Sequence, residues 1–578
     1  MIKLMRRNLD WWAVITATIF LGFQVVCDLS LPNLTSNLIN NGVAKGNIGY
    51  IWQIGLQMLG LTLVGIFAAA GNVYFASTQA QKMGARLRGK IFKKVLSFGN
   101  YEMDKFGSSS LITRTTTNDV MQIQNVTIMM LRMMIMAPLM LIGASVMAYF
   151  NEKRLTSIFL VSIPILLIAI GCAMYFAVPL FQKLQKQIDR INLIFREGLT
   201  GVRVIRAFRQ DKFEQERFDR ANKDYTETGI KVFSIVSLMF PIMTLVLNVT
   251  NMGIIWFGAK LIANHEMQVG NLVAFMTYAS MILFSFMMLS MIFVLVPRAE
   301  AAAKRINAVL EIENSINDVE SEIGSDSDKL QASLEFKNVS FRYRGAEDLA
   351  LDNLSVDVKA GETLAIIGGT GSGKSTLINL IPRLYDVNSG EVLVDGNDVR
   401  KYSLHDLHDK VAFVQQKAVL FKGTIRSNLL IGNPEATEED MWKALEIAQA
   451  KDFILDLPDG LDAVVEQGGD NFSGGQKQRL AIARAIIKPA SIYVFDDSFS
   501  ALDFKTDAKL RLALRQDERI SKAIIVIVAQ RISTVTGADH IVVLDEGKVV
   551  GQGTHKELLA DNTTYQEIVE SQMKGAAI

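Results

Sequence analysis

A chain of 578 residues, 50% hydrophobic and 21% charged, is too apolar for an ordinary soluble enzyme and long enough for several domains. Its formal net charge of +1 provides no overall field toward an acidic partner, and no nucleic-acid ligand is expected. The two cysteines, Cys27 and Cys172, lie in apolar stretches and read as thiols in helix packing, not as a disulfide framework.

The opening MIKLMRRNLDWWAVITATIF joins a basic start to an apolar run that outlasts a signal core, with no small-x-small cleavage site after it. A retained anchor is expected. Apolar segments of about 20 residues, enough for a helix to cross a bilayer, fall near 12–38, 53–80, 125–150, 155–181, 233–262 and 269–297. Short connectors after Phe150 and Ala263 alternate with two long polar stretches, 81–124 and 182–232. The first holds Lys82, Arg86, Arg88, Lys90, Lys93 and Lys94; the second holds Arg190, Arg196, Arg203, Arg206 and Arg209. Positive charge concentrated there places both stretches, and both termini, in the cytoplasm of a cell-membrane protein.

Leu184, Ile188, Ile191 and Phe195 keep helical spacing, so the polar stretches read as membrane helices extended into the cytoplasm. Each reverses at a short turn, near Asp104–Ser110 and near Arg209–Phe218. Residues 1–311 are therefore expected to form an α-helical membrane domain in contact with the bilayer. Within the spans, Met129, Met130, Met133, Met134, Met136, Met281, Met287, Met288 and Met291 suit either an adaptable surface for hydrophobic small-molecule cargo or ordinary packing. Arg132 and Asp28 are costly at such positions; either faces a cavity or partner, or Arg132 snorkels to the membrane surface.

Residues 312–333 lose the apolar periodicity and gather Ser, Asp and Glu, as a linker does. From 334 to 578 β-branched strands alternate with helices, the pattern of an α/β domain. There GGTGSGKST, Gly368 to Thr376, follows the strand TLAII and opens the helix TLINLIPRLY. This is a phosphate-binding loop in its required context. Backbone N–H groups through Gly368, Gly369, Thr370, Gly371, Ser372 and Gly373 cradle the phosphates of ATP at a helix N-terminus. Lys374 reaches the β- and γ-phosphates, and Ser375, next to Thr376, offers its hydroxyl to Mg²⁺. The unbroken apolar run SIYVF reads as a buried strand that delivers Asp496, which would hold Mg²⁺ through water.

Between these motifs NFSGGQKQRLAIARAI, Asn471–Ile486, resembles the ABC-transporter signature, with Ser473, Gly474, Gly475 and Gln476 opening a helix. The resemblance extends over nearly the whole chain, to half-size ABC exporters of the bacterial multidrug type. It implies that Tyr343 stacks on adenine, that Gln416 is the Q-loop glutamine and a further Mg²⁺ ligand, and that Ser500–Asp503 is the D-loop. It also implies that Glu466 faces the coupling helices, which lie in 104–119 with Phe106 and in 201–218 with Phe213. Two nucleotide domains then face each other head to tail, each ATP held by the Walker motifs of one and the signature of the other.

Phe472 stands where the family's signature begins with leucine, and two further positions depart from the family at catalytic places. Asp497 stands where the family has the glutamate that activates water, and Gln530 where it has histidine. Aspartate is one methylene shorter, about 1 Å at a position where a base must come within about 2.6–3.2 Å of its proton. A misplacement of about 1 Å can cost 100-fold. Glutamine hydrogen-bonds but carries no proton near neutral pH. The implied protein is one half of a heterodimeric exporter whose own Walker site binds ATP and hydrolyses it poorly, with a non-identical partner supplying Glu and His. Open alternatives are a homodimeric lipid- or haem-type pump and an ATP-gated, channel-like subunit.

Overall fold

The computed structural model describes residues 1–106, 109–320 and 332–576. They form two compact units. One contains Met1–Leu96 and the chain up to Ile312; the other is built on Glu313–Ile578 and takes in the segment that starts at Ser97.

Among the described residues, six helices of the first unit are long and apolar enough to cross a membrane: Trp11–Val43, Ile48–Leu96, Ile112–Asn151, Leu155–Thr200, Asp211–Ala263 and a sixth that starts at Val269 and runs to Leu310. The second and fifth have 49 and 53 residues. At about 1.5 Å per residue each exceeds twice the roughly 30 Å of a hydrocarbon core, so they project well beyond it, as the helical spacing predicted. Large side chains such as Trp12, Leu56, Phe67, Leu160 and Trp256 point outward, as lipid-facing groups do, while Ala76, Ala80, Ala137, Ala144 and Ala148 are fully buried. Small residues let helix backbones approach closely. Asn72 adds polar glue, its amide donating to the Ala17 carbonyl at 2.9 Å. Arg305 grips the buried Asp119 with two hydrogen bonds of 2.8 and 2.6 Å, tying the third helix to the sixth.

Several expectations change. The second cytoplasmic reversal falls at the start of the expected stretch, around Arg209, and Asp211–Phe218 is already helix. The fourth span ends at Gly201, a short helix Val202–Ala207 follows, and the turn is complete at Gln210 with Arg209 in the left-handed region (φ 54°). Asp211 and Glu214 occupy the first turn of the next helix, where negative charge meets the positive end of the helix dipole. Phe213 thus sits inside the long fifth helix, exposed, and not in the turn. In the first reversal a short helix covers Asn100–Lys105, and Phe106 stacks on Phe98 at 5.8 Å; residues 107–108 lie outside the described ones. Cys27 is buried, as helix packing requires, but Cys172 is exposed. Arg132 is exposed on a π-helical turn, Met130–Met134, and Asp28 is half-buried. Met281 and Met287 pack against the core between the helices; the side chain of Met291 is outside the described residues.

In the second unit a six-stranded sheet runs Lys548–Gly553, His540–Asp545, Thr363–Gly368, Ile524–Val528, Ile492–Asp496, Val411–Val414. Its neighbours pair in parallel except at the Lys548–Gly553 edge. Ile492–Asp496 and Ile524–Val528 are buried at every position, which explains their unbroken apolar sequences. A four-stranded antiparallel sheet, led by Ser333–Phe341 and Leu351–Lys359, packs its apolar face beside it. Parallel register sets Val528 opposite both Ile366 and Asp496. The phosphate loop, the two carboxylates and Gln530 therefore emerge together at the C-terminal ends of the strands, where open α/β sheets bind ligands.

Candidate active site

The loop after Thr363–Gly368 requires its glycines sterically. A Cβ on Gly368 would lie 2.0 Å from the Leu544 carbonyl oxygen, and one on Gly373 (φ 97°) would lie 2.6 Å from that of Ala350. With both positions bare, Gly369, Thr370, Gly371 and Ser372 arch over to the helix Lys374–Asn379. The Lys374 ammonium folds back across the arch and donates to the carbonyls of Gly368 (2.9 Å) and Gly369 (2.6 Å).

The Ser375 hydroxyl donates to Asp496 Oδ1 at 3.0 Å. Burial pushes the Asp496 carboxyl above the usual range, and the bond from Ser375 opposes the shift. A hydroxyl and a buried carboxylate so placed fit a hard divalent cation. Ser375 and Asp496 would hold Mg²⁺, which would supply charge neutralisation to the phosphates of ATP. A carboxyl whose folded pKa lies above its unfolded value stabilises the fold at low pH, and that contribution is lost as pH rises through the folded value. Asp496→Asn should therefore raise the melting midpoint of the nucleotide-free chain in EDTA at pH 7.5 by about 2–4 °C. The difference should vanish toward pH 4, and stabilisation by Mg²⁺ should be lost. A lowered midpoint at pH 7.5 would contradict this account.

Asp497 is only 7% exposed and adopts a left-handed backbone (φ 45°), a strained state for a non-glycine residue. Its Oδ2 accepts from Gln530 Nε2 at 2.9 Å and from Gln416 Nε2 at 3.3 Å. Burial raises its pKa, while Gln416 and Ser500 oppose the rise. Gln416 thus turns its amide nitrogen to Asp497 and leaves its carbonyl oxygen as the atom available to Mg²⁺. Sequence reasoning missed Arg531. Its guanidinium donates to the carbonyls of Leu502 (3.1 Å) and Ser500 (3.0 Å) and lies 4.8 Å over the Phe504 ring, fastening the Gln530 turn to the Ser500–Asp503 turn. The available signal was an always-charged, five-donor group adjoining Gln530.

The remaining positions divide by exposure. Tyr343 is exposed, its hydroxyl 3.0 Å from that of Thr376. Asp503 caps the helix Phe504–Gln516. Ser473 caps the helix Gly474–Ile486, with Gln476 closing the reciprocal bond to the Ser473 N–H at 2.9 Å. Phe472, which replaces the family's leucine, is buried against Phe453 (6.4 Å) and so fills core space. Ser473 and Gly474 are exposed, Gly475 is half-buried, and Glu466 is exposed on the turn before them.

Residues 14–286 match the family model described as ABC transporter transmembrane region, and 351–500 match the one described as ABC transporter. An uncharacterized ABC transporter ATP-binding protein of Mycobacterium tuberculosis is 41% identical over 558 residues, 96% of this chain and 95% of the relative. The chain belongs to the ABC transporter family. A second uncharacterized member, from Bacillus subtilis, is 37% identical over 96% of both chains. An ATP-dependent lipid A-core flippase of Haemophilus influenzae is 29% identical, covering 97% of this chain and 95% of its own. The fold is that of a bacterial Atm1-family ABC exporter solved with ATP bound, at a TM-score of 0.81 and 23% identity, over 97% of this chain and 98% of that one. The described residues thus join six helices fit to cross a membrane to a cytoplasmic ABC domain on one chain, an ATPase coupled to transport.

Proposed function

We propose that this transporter is the half of a two-chain exporter that holds ATP at its own Walker site and turns it over slowly. A non-identical chain supplies glutamate and histidine at the second site, which this chain's Ser473, Gly474, Gly475 and Gln476 complete. The observation that carries the reading is the pair of amides on Asp497. Both donate to the same oxygen, and neither can accept a proton at neutral pH. A short carboxylate tied in this way is a poor general base, whereas everything that grips phosphate and Mg²⁺ is intact.

Export of hydrophobic or amphipathic compounds, including lipid-like ones, is the cargo class that fits. The lipid A-core flippase among the relatives and the methionine-bearing helices support it. The flippase resemblance equally favours the homodimeric lipid-type pump.

The test is Mg-ATP hydrolysis by the purified chain alone and with the partner chain, using Lys374→Ala as the binding control. The expected result is ATP binding with little turnover by the lone chain, and an active pair. Turnover by the lone chain at roughly 1 per second, an ordinary enzyme rate, would leave the homodimeric pump as the reading.

A further inference from the structure

A glutamate in a polar cytoplasmic turn is expected to be solvated, yet Glu102, in the short helix Asn100–Lys105, is 2% exposed. Its Oε2 accepts from the Gly99 N–H at 2.9 Å and from the Ser315 hydroxyl at 3.2 Å, and its Oε1 accepts from the Ser315 N–H at 2.8 Å. The Asn314 amide returns the grip by donating to the Ser97 carbonyl at 2.8 Å. Burying a carboxylate is costly unless its hydrogen bonds are supplied. Here Gly99 supplies one, and a segment 213 residues away in sequence supplies the other two.

The same short helix touches the turn that follows the strand Ser333–Phe341. The Arg344 guanidinium lies 5.1 Å over the Tyr101 ring. Arg344 is bonded in sequence to Tyr343, whose ring packs edge-on against Tyr385 (5.5 Å) and Phe341 (4.9 Å). All these residues belong to the second unit. The ends of the clasp adjoin two spans in sequence: Ser97 follows Leu96, which ends the second span helix, and Asn314 comes shortly after Leu310, which ends the sixth.

We propose that Glu102 is a positioning residue of the transport cycle. It locks helix Asn100–Lys105 and the Asn314–Ser315 stretch into one clasp, and the clasp senses the adenine base through Tyr343, Arg344 and Tyr101. Base stacking at Tyr343 then bears at once on the chain leaving the second span and on the chain leaving the sixth. Phosphate contacts at Lys374 do not enter this route, so the clasp separates adenine nucleotides from bare polyphosphate. The route needs no hydrolysis and therefore stands or falls independently of Asp497.

Hydrogen exchange on the full chain in lipid nanodiscs, read by mass spectrometry, tests it. With Mg²⁺ present, ATP should slow exchange over 97–106 and 313–320 by about tenfold, while inorganic triphosphate should not. Arg344→Ala should keep the nucleotide-free protection, lose the ATP-dependent gain and bind ATP within about threefold of the parent. Glu102→Ala should lose both protections, with Glu102→Gln restoring part of the first. Triphosphate acting as well as ATP would overturn the proposal. So would an ATP-dependent gain that survives Arg344→Ala, or an ATP affinity that falls tenfold in that variant, which would make Arg344 a base ligand instead of a relay.

Discussion

Asp497→Glu combined with Gln530→His raises turnover at the chain's own Walker site by about 100-fold. The added methylene advances the carboxylate toward the water that must be activated, and histidine restores a side chain able to carry a proton. The single changes should give much less. Glutamate alone still faces the Gln530 amide, which now donates to Asp497 Oδ2 at 2.9 Å and so lowers the basicity of the carboxylate. Histidine alone leaves the carboxylate short. Residues that act as a unit do not add, so the double variant should exceed the product of the singles. The measurement is steady-state ATP hydrolysis with a partner chain whose own catalytic glutamate has been removed, which isolates this site. No gain in the double variant would mean that Asp497 is not what limits the site, and the slow-site reading would lose its basis.

The elements that carry chemistry were legible because each is bracketed by its own secondary structure. The phosphate loop sits between a β-branched strand and a helix start, and the sequence places Gly368, Lys374 and Ser375 where the structure has them. Asp496 follows an apolar run that could only be a strand buried on both faces. The fusion of long apolar helices to an α/β domain was equally plain from the change of period. Less legible were features that depend on distant partners. The fourth-to-fifth reversal is shorter than the stretch from Arg209 to Phe218, because Asp211 and Glu214 are the acidic first turn of a helix and not a loop. The shorter helix before it, Val202–Ala207, buries none of its residues and so leaves no periodic stripe in the sequence. The π-helical turns Leu38–Val43, Thr115–Asp119 and Met130–Met134 have no composition of their own. Glu102 could not be recognised as buried, since its partner Ser315 lies in what reads as featureless linker. The Gln416–Asp497–Gln530 convergence is likewise a product of sheet register, because these residues come from three separate strand ends.

Gly474→Asp is the sharpest probe of whether this chain completes a second site. The position is exposed, and a Cβ there meets nothing within 4 Å. It opens the helix Gly474–Ile486, where an acidic side chain is favoured by the helix dipole. The variant should therefore fold and bind ATP at its own Walker loop as the parent does. If the partner's ATP is closed by this signature, however, the new carboxylate is aimed at phosphate, and repulsion replaces donation from the helix N-terminus. Turnover of the pair should fall by about 100-fold or more, the scale of losing a donor at developing negative charge. Fluorescent-nucleotide titration of the lone chain and ATP hydrolysis by the pair separate the two effects. A pair that keeps its turnover would show that the partner's nucleotide is completed elsewhere, and the head-to-tail arrangement inferred for this chain would fail whatever Asp497 does.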